Sequence, residues 1–165
     1  MRLLVTLILI CAISVCGCKS TTGTKKGGVD RLQPSAEEDI TGMGSERFSG
    51  SEVTDVKFKN VQFAFDSYQI EASEEGKIKE VADYLKKYPH LRLIIDGHCD
   101  ERGTREYNLS LGERRALAVR AYLIGLGIAP ERIQTRSFGE DQPLDPGHNE
   151  SAWRLNRRAE FKLIK

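Results

Sequence analysis

The chain has 165 residues, enough for one domain with tails. Charged residues make up 30% and apolar residues 39%, an ordinary balance for a folded soluble domain. Arg2 is the one charged residue among the first 17, and beyond it 24 basic residues face 24 acidic ones, which argues against a nucleic-acid binder with its usual basic excess.

The chain opens MRLLVTLILICAISVCGC. One Arg precedes an apolar run over 3–15, shorter than the roughly 20 residues a spanning helix needs. The run fits the h-region of a secretory signal peptide, although the n-region carries Arg2 alone. Its end, VCGC, resembles a bacterial lipobox, with Val15 in the aliphatic place, Gly17 in the small place and Cys18 as the lipidated residue. An ordinary signal peptide with stray cysteines is the plainer reading of the same letters. Lipidation would remove Cys11 and Cys16 with the signal and cap Cys18. Cys99 is then the one free thiol, so no internal disulfide is expected. In lipoproteins an Asp after the lipidated Cys marks inner-membrane retention. Lys19 stands there instead, so a lipid anchor in the outer membrane is expected, with the domain facing the periplasm.

Residues 19–51 are rich in Gly, Ser, Thr and charge and hold no apolar period. They read as a flexible tether, with a segment that folds on a partner as the alternative. As coil, about 33 residues span roughly 30 Å, and about 110 Å when stretched. The expected division is a signal peptide over 1–17, a lipidated N-terminus and linker over 18–52, and a folded domain over 53–165.

The domain's elements follow in order. A short strand is predicted over 61–65, after an alternation that Asn60 breaks. A helix over 73–88 carries Ile78, Val81, Ala82 and Leu85 on one face, and Pro89 ends it. LRLIID is a second strand over 91–96. A second helix over 104–126 places Val119, Tyr122, Leu123 and Leu126 at helical spacing and closes at Gly125 and Gly127. RIQTRSFG is a third strand, PLDPGHNE a loop, SAWRLN a short helix and RRAEFKLI a final strand. The order β-α-β-α-β-(α)-β predicts a two-layer α/β sandwich with a mixed four-stranded sheet and helices on one face.

Where the second strand meets the second helix, DGHCDERGTREYNLSLGERRA is densely charged. A metal site on His98, Cys99 and Asp100 is disfavoured, because adjacent extended residues point opposite ways and His90 and His148 stand alone. A Cys99 nucleophile is disfavoured by Asp100 and Glu101, which oppose a thiolate. A small residue at the edge of a buried strand explains Cys99 more simply. The third reading is a cradle for a zwitterion. Asn108, Leu111 and Arg115 fall at i, i+3 and i+7, one face of the helix, with Leu111 inward. An Asp at a strand end and an Arg on that face can hold an ammonium and a carboxylate. A surface salt bridge is the alternative reading of the same charges.

FAFDSYQI, DGHCDERGTREYNLSLGERRALAVRAYL, SFGEDQPL and NRRAEF together resemble the C-terminal domain of the OmpA family, and within it the peptidoglycan-associated lipoproteins (Pal). The resemblance covers about 56–165. The family's helix motif, N-x-x-L-[SG]-x-x-R-A-x-x-V, is met by Asn108, Leu111, Gly112, Arg115, Ala116 and Val119. It implies non-covalent peptidoglycan binding through stem-peptide diaminopimelate, without catalysis or a cofactor. It also implies a place in the Tol–Pal envelope system, with TolB and other Tol proteins as partners and roles in envelope integrity and cell division. Asp100 and Arg115 match the family's ligand-binding pair. One of Arg157 and Arg158 is expected to line the pocket, with Asp66 and Tyr68 on the rim. An OmpA-like wall binder outside the Tol system is the alternative, and a wall-modifying enzyme using Asp100 or Glu101 as general acid is a further one.

Overall fold

The computed structural model describes residues 50–165. The signal peptide, Cys18 and most of the expected linker lie outside the described residues. Four strands and three helices follow one another: β1 (Val61–Gln62), α1 (Glu75–Lys87), β2 (Arg92–His98), α2 (Arg105–Gly125), β3 (Ile133–Gly139), α3 (Glu150–Asn156) and β4 (Arg158–Ile164). A 3₁₀ turn, Pro130–Arg132, leads into β3. The sheet order is β1-β4-β2-β3, with β2 parallel to β3 and antiparallel to β4, and β1 antiparallel to β4. This is the mixed four-stranded α/β sandwich that the element order predicts.

The helices form where the apolar spacing requires. Ile78, Val81, Ala82 and Leu85 of α1 are buried, as are Ala116, Val119 and Leu123 of α2. They share one core with Leu93 and Ile95 of β2, Ile133 of β3 and Ala159 and Leu163 of β4, so both helices cover the same sheet face. The Thr104 hydroxyl caps α2 by accepting from the Tyr107 amide at 3.2 Å. The opposite face of the sheet carries charge. Asp96, wholly buried at the centre of β2, accepts two hydrogen bonds from Arg136 at 2.7 and 2.8 Å and pairs with Lys162 at 2.8 Å.

α1, expected over 73–88, is three residues shorter at Glu75–Lys87, and two strands differ from expectation for a visible reason. β2 runs on to His98, because its last residues stay paired to β3 while α2 covers them. β1 stops at Gln62 instead of Phe65. Phe63 still donates to the Arg157 carbonyl at 3.0 Å, but the chain then turns at Asp66, whose φ is +53°. Pairing with the sheet also begins ahead of Val53: Lys165 donates to the Ser51 carbonyl at 3.1 Å and Val53 to that of Leu163 at 2.9 Å.

Candidate functional site

The site forms where the C-terminal end of β2, the first half of α2 and the turn after β1 converge. Two glycines set the approach of α2 to the sheet. A Cβ on Gly97 would lie 1.9 Å from the Gly112 carbonyl oxygen, and one on Gly112 would lie 2.3 Å from Ser137 Oγ. Helix and strand backbones therefore touch. Asn108, about one turn before this contact, and Arg115, about one turn after it, are pressed against the loop that follows β2.

Arg115 is almost wholly buried. Its Nε donates to the Ser67 carbonyl and its Nη1 to the His98 carbonyl, both at 2.8 Å. Nη1 also meets Cys99 Sγ at 3.4 Å, and Nη2 donates to the Ala64 carbonyl at 3.2 Å. Burial draws the guanidinium below its ordinary pKa, yet an arginine stays charged in a protein. Carbonyl dipoles solvate this cation, and among the described residues no carboxylate forms an ion pair with it. It ties the turn after β1 to the end of β2 and keeps a positive charge there that Asp100 and Asp66 stabilise through space without a direct ion pair.

Asp100 is also buried, but it is richly partnered. Oδ1 accepts from the Arg102 amide and Nε, both at 3.1 Å. Oδ2 accepts from Arg102 Nη2 at 2.7 Å and from Arg157 Nη1 at 3.2 Å. Burial pulls this carboxyl's pKa up, and the hydrogen bonds from Arg102 and Arg157 more than offset that, holding it below the usual value. Arg102 itself lies between two aromatic rings, 3.9 Å from the Phe65 centroid and 4.2 Å from that of Trp153. Arg157 is fixed by Glu150 at 2.7 Å and by the Phe63 carbonyl at 3.0 Å.

A cavity of about 200 Å³ opens here, lined by Phe65, Asp66, Asp100, Arg102, Asn108, Leu111 and Arg115 among others. That is below the roughly 300–1,000 Å³ of a drug-sized site and suits an amino-acid-sized end group. The expected residues divide clearly. Asp100, Asn108, Leu111, Arg115 and Asp66 all line the cavity. Asn108 Nδ2 also holds the loop after β2, donating to the carbonyls of Asp100 at 3.2 Å and Arg102 at 3.3 Å. Asp66 accepts from the Tyr107 hydroxyl. Tyr68 is half exposed and lies outside the lining. Neither of the two adjacent arginines lines the cavity, contrary to expectation: Arg157 touches the site only through Asp100, from behind it. Arg158 turns to the other sheet face, where it pairs with Glu160 at 2.6 Å and donates to the Gln142 carbonyl at 3.3 Å. Cys99 is a buried lining residue whose thiol donates to the Asn108 carbonyl at 3.2 Å. Burial pushes its pKa up to about 11, the opposite of what a nucleophile needs. Arg102 and Phe65 were missed from sequence; the spacing of Asp100 and Arg102, which makes an Asx turn, was the available signal for the first.

Known proteins agree with this architecture. Residues 62–157 match the OmpA family. The peptidoglycan-associated lipoprotein of Haemophilus influenzae is 40% identical over 128 residues, covering 76% of this chain and 84% of the relative. That of Rhizobium meliloti is 34% identical over 161 residues, covering 94% and 84%. Among solved structures, the peptidoglycan-associated lipoprotein from Burkholderia pseudomallei superposes with a TM-score of 0.62 at 41% identity, covering 64% of this chain and 89% of that one. The C-terminal domain of Helicobacter pylori MotB, at 22% identity and a TM-score of 0.61, shares the fold, covering 65% and 84%. By sequence match, by fold and by the motif residues of α2, the chain belongs to the OmpA family and, within it, to the peptidoglycan-associated lipoproteins.

Proposed function

We propose that this chain is a lipid-anchored protein that binds peptidoglycan without cutting it, through the free end of stem-peptide diaminopimelate. In this reading Arg115 receives the ligand's carboxylate and Asp100 its ammonium. The observation that carries it is Arg115: a buried cation lining a small cavity, with no acid paired to it among the described residues. A buried charge without a directly paired counter-ion is costly, and a ligand carboxylate would supply one. Asp100 beside it makes the cavity bipolar, which matches a zwitterion better than a plain anion.

Acyl chains on Cys18 would hold the other end in the outer membrane, with residues 18–52 as the span between membrane and domain and the domain in the periplasm. One acyl chain binds a membrane only marginally, so firm anchoring requires multiple acylation. TolB and other Tol proteins are the proposed partners, on the strength of the family resemblance. The names of the relatives support the wall as ligand. The test is a pull-down of the full chain with purified sacculi and with TolB side by side. The proposal expects the chain to sediment with sacculi and to release no soluble fragments. Fragment release would mean a wall-modifying enzyme. Sedimentation with sacculi but no capture of TolB would place the protein outside the Tol system.

A further inference from the structure

The acceptor positions of Asp100 are already occupied in the ligand-free protein. A carboxylate offers about four lone-pair sites. The Arg102 amide and Nε take Oδ1, and Arg102 Nη2 with Arg157 Nη1 take Oδ2. A ligand ammonium therefore has no vacant site on Asp100. One of the two arginines must yield, and their surroundings differ. Arg157 is buried and held besides by Glu150 and the Phe63 carbonyl. Arg102 keeps 30% of its side chain exposed, lines the cavity itself, and beyond Asp100 is held by no hydrogen bond among the described residues, only by the Phe65 and Trp153 rings and by Glu150 at 3.7 Å.

We infer that the Arg102 guanidinium is a built-in occupant of the ammonium subsite, and that ligand binding exchanges it for the ligand's ammonium on Asp100. This rests on the wall-binding reading above and assigns a residue that sets its affinity and specificity. Arg102 lends Asp100 a second cation beside Arg157 while the site is empty, so the buried carboxylate keeps its full set of donors. The same contact taxes binding, because the ligand gains the Asp100 pair only by breaking another. It also sharpens selection: an end group without a free ammonium cannot displace a guanidinium from a carboxylate. The Arg102 backbone amide stays on Oδ1 throughout, so the loop need not unfold for the side chain to leave.

Trp153 makes the exchange observable. It is the chain's one tryptophan, and the Arg102 guanidinium stacks on its ring at 4.2 Å. Departure of Arg102 strips a cation from the indole and should change its emission. The experiment titrates the full chain in detergent with a soluble stem tripeptide ending in meso-diaminopimelate. It follows Trp153 fluorescence and, separately, heat of binding. The unmutated chain should show both signals. Arg102→Gln should bind the tripeptide about threefold more tightly or better, since an intramolecular competitor is gone, while its ligand-dependent emission change largely disappears. The tripeptide acetylated on its free amine should leave the emission of the unmutated chain unchanged. Arg102→Lys, which keeps a cation but loses the flat fork, should fall between the two. Melting temperatures of both variants show that they are folded. Weaker binding by Arg102→Gln, or no emission change when the unmutated chain binds, overturns the exchange. If Asp100→Asn and Arg115→Ala lose binding in the same assay, the wall-binding reading survives that result; if they do not, it falls too.

Discussion

In the proposed reading Arg115 does two jobs at once. Its donors to Ala64 and Ser67 in the turn after β1 and to His98 at the end of β2 tie both segments to α2, so its loss must cost stability as well as the proposed binding. Charge-assisted hydrogen bonds contribute about 1.5–3 kcal/mol each when made, though such terms do not add. Arg115→Lys should therefore lower the melting temperature by several degrees, and it should also weaken wall binding because one ammonium cannot reach three carbonyls. Thermal melts and sacculus sedimentation on the same sample check both. From the sequence alone Arg115 reads as a ligand group with little structural duty, because nothing in a helical face reveals which carbonyls will surround it. His98 supports a second expectation at this scale. Its ring is buried and stacks on Phe138, with neither nitrogen hydrogen-bonded within the described residues. Burial, aided by Arg158, pushes its pKa down from 6.5 to about 4. A depressed histidine favours the neutral form in the fold, so the unfolded chain takes up the proton first as pH drops. The stability His98 allows is complete above pH 6.5 and is lost progressively as pH falls towards 4, by about 3 kcal/mol in all. Urea unfolding between pH 7 and 4 should show this slope, and His98→Phe should flatten it.

Among elements, α2 was the most legible. Its register placed Asn108, Leu111 and Arg115 on one face, and all three are buried on that face. Helical spacing carries such information because side chains three, four and seven apart must point together. The pairing of β4 was less legible. Arg157 and Arg158 are adjacent, and alternation sends them to opposite sides, but parity is fixed only when Arg158 pairs with Gln62. The partners of Asp100 were not legible, because they depend on a loop folding back on itself and on α3 delivering Arg157. Contact between Gly97 and Gly112 is the element-scale hinge of the site. Overpacking a tight contact typically costs about 1–3 kcal/mol. Gly97→Ala should reach the upper end or exceed it, since the Cβ would meet a backbone carbonyl that cannot rotate away. Gly112→Ala meets the Ser137 hydroxyl first and should be milder. Guanidinium melts of the two variants give the ranking, and equal stability to the parent in Gly97→Ala would contradict the close approach.

At the scale of the molecule, the ends of the sheet have different duties. Ser51 and Val53 pair with the C-terminal end of β4, beside Arg92 at the start of β2. Asp100 lies just past the other end of that strand, a seven-residue run of about 23 Å. The chain therefore enters the domain at one end of the sheet and the cavity lies at the other, an arrangement suited to a body pulled between two anchors. Removing residues 19–49 should leave the melting temperature unchanged, whereas removal through Val53 should lower it. Shortening the segment by about ten residues should weaken wall contact in cells without affecting sacculus binding in solution. Mass spectrometry of the membrane-extracted protein should find an acylated N-terminus at Cys18, and Cys18→Ser should leave it unprocessed or soluble. The central claim is that a bipolar cavity built on Asp100 and Arg115 holds the diaminopimelate end of the wall peptide. Sedimentation of the full chain, Asp100→Asn and Arg115→Ala with diaminopimelate-type sacculi tests it most directly. The account predicts that the unmutated chain pellets and that each folded variant is weakened about tenfold or more; undiminished pelleting of both variants would contradict it.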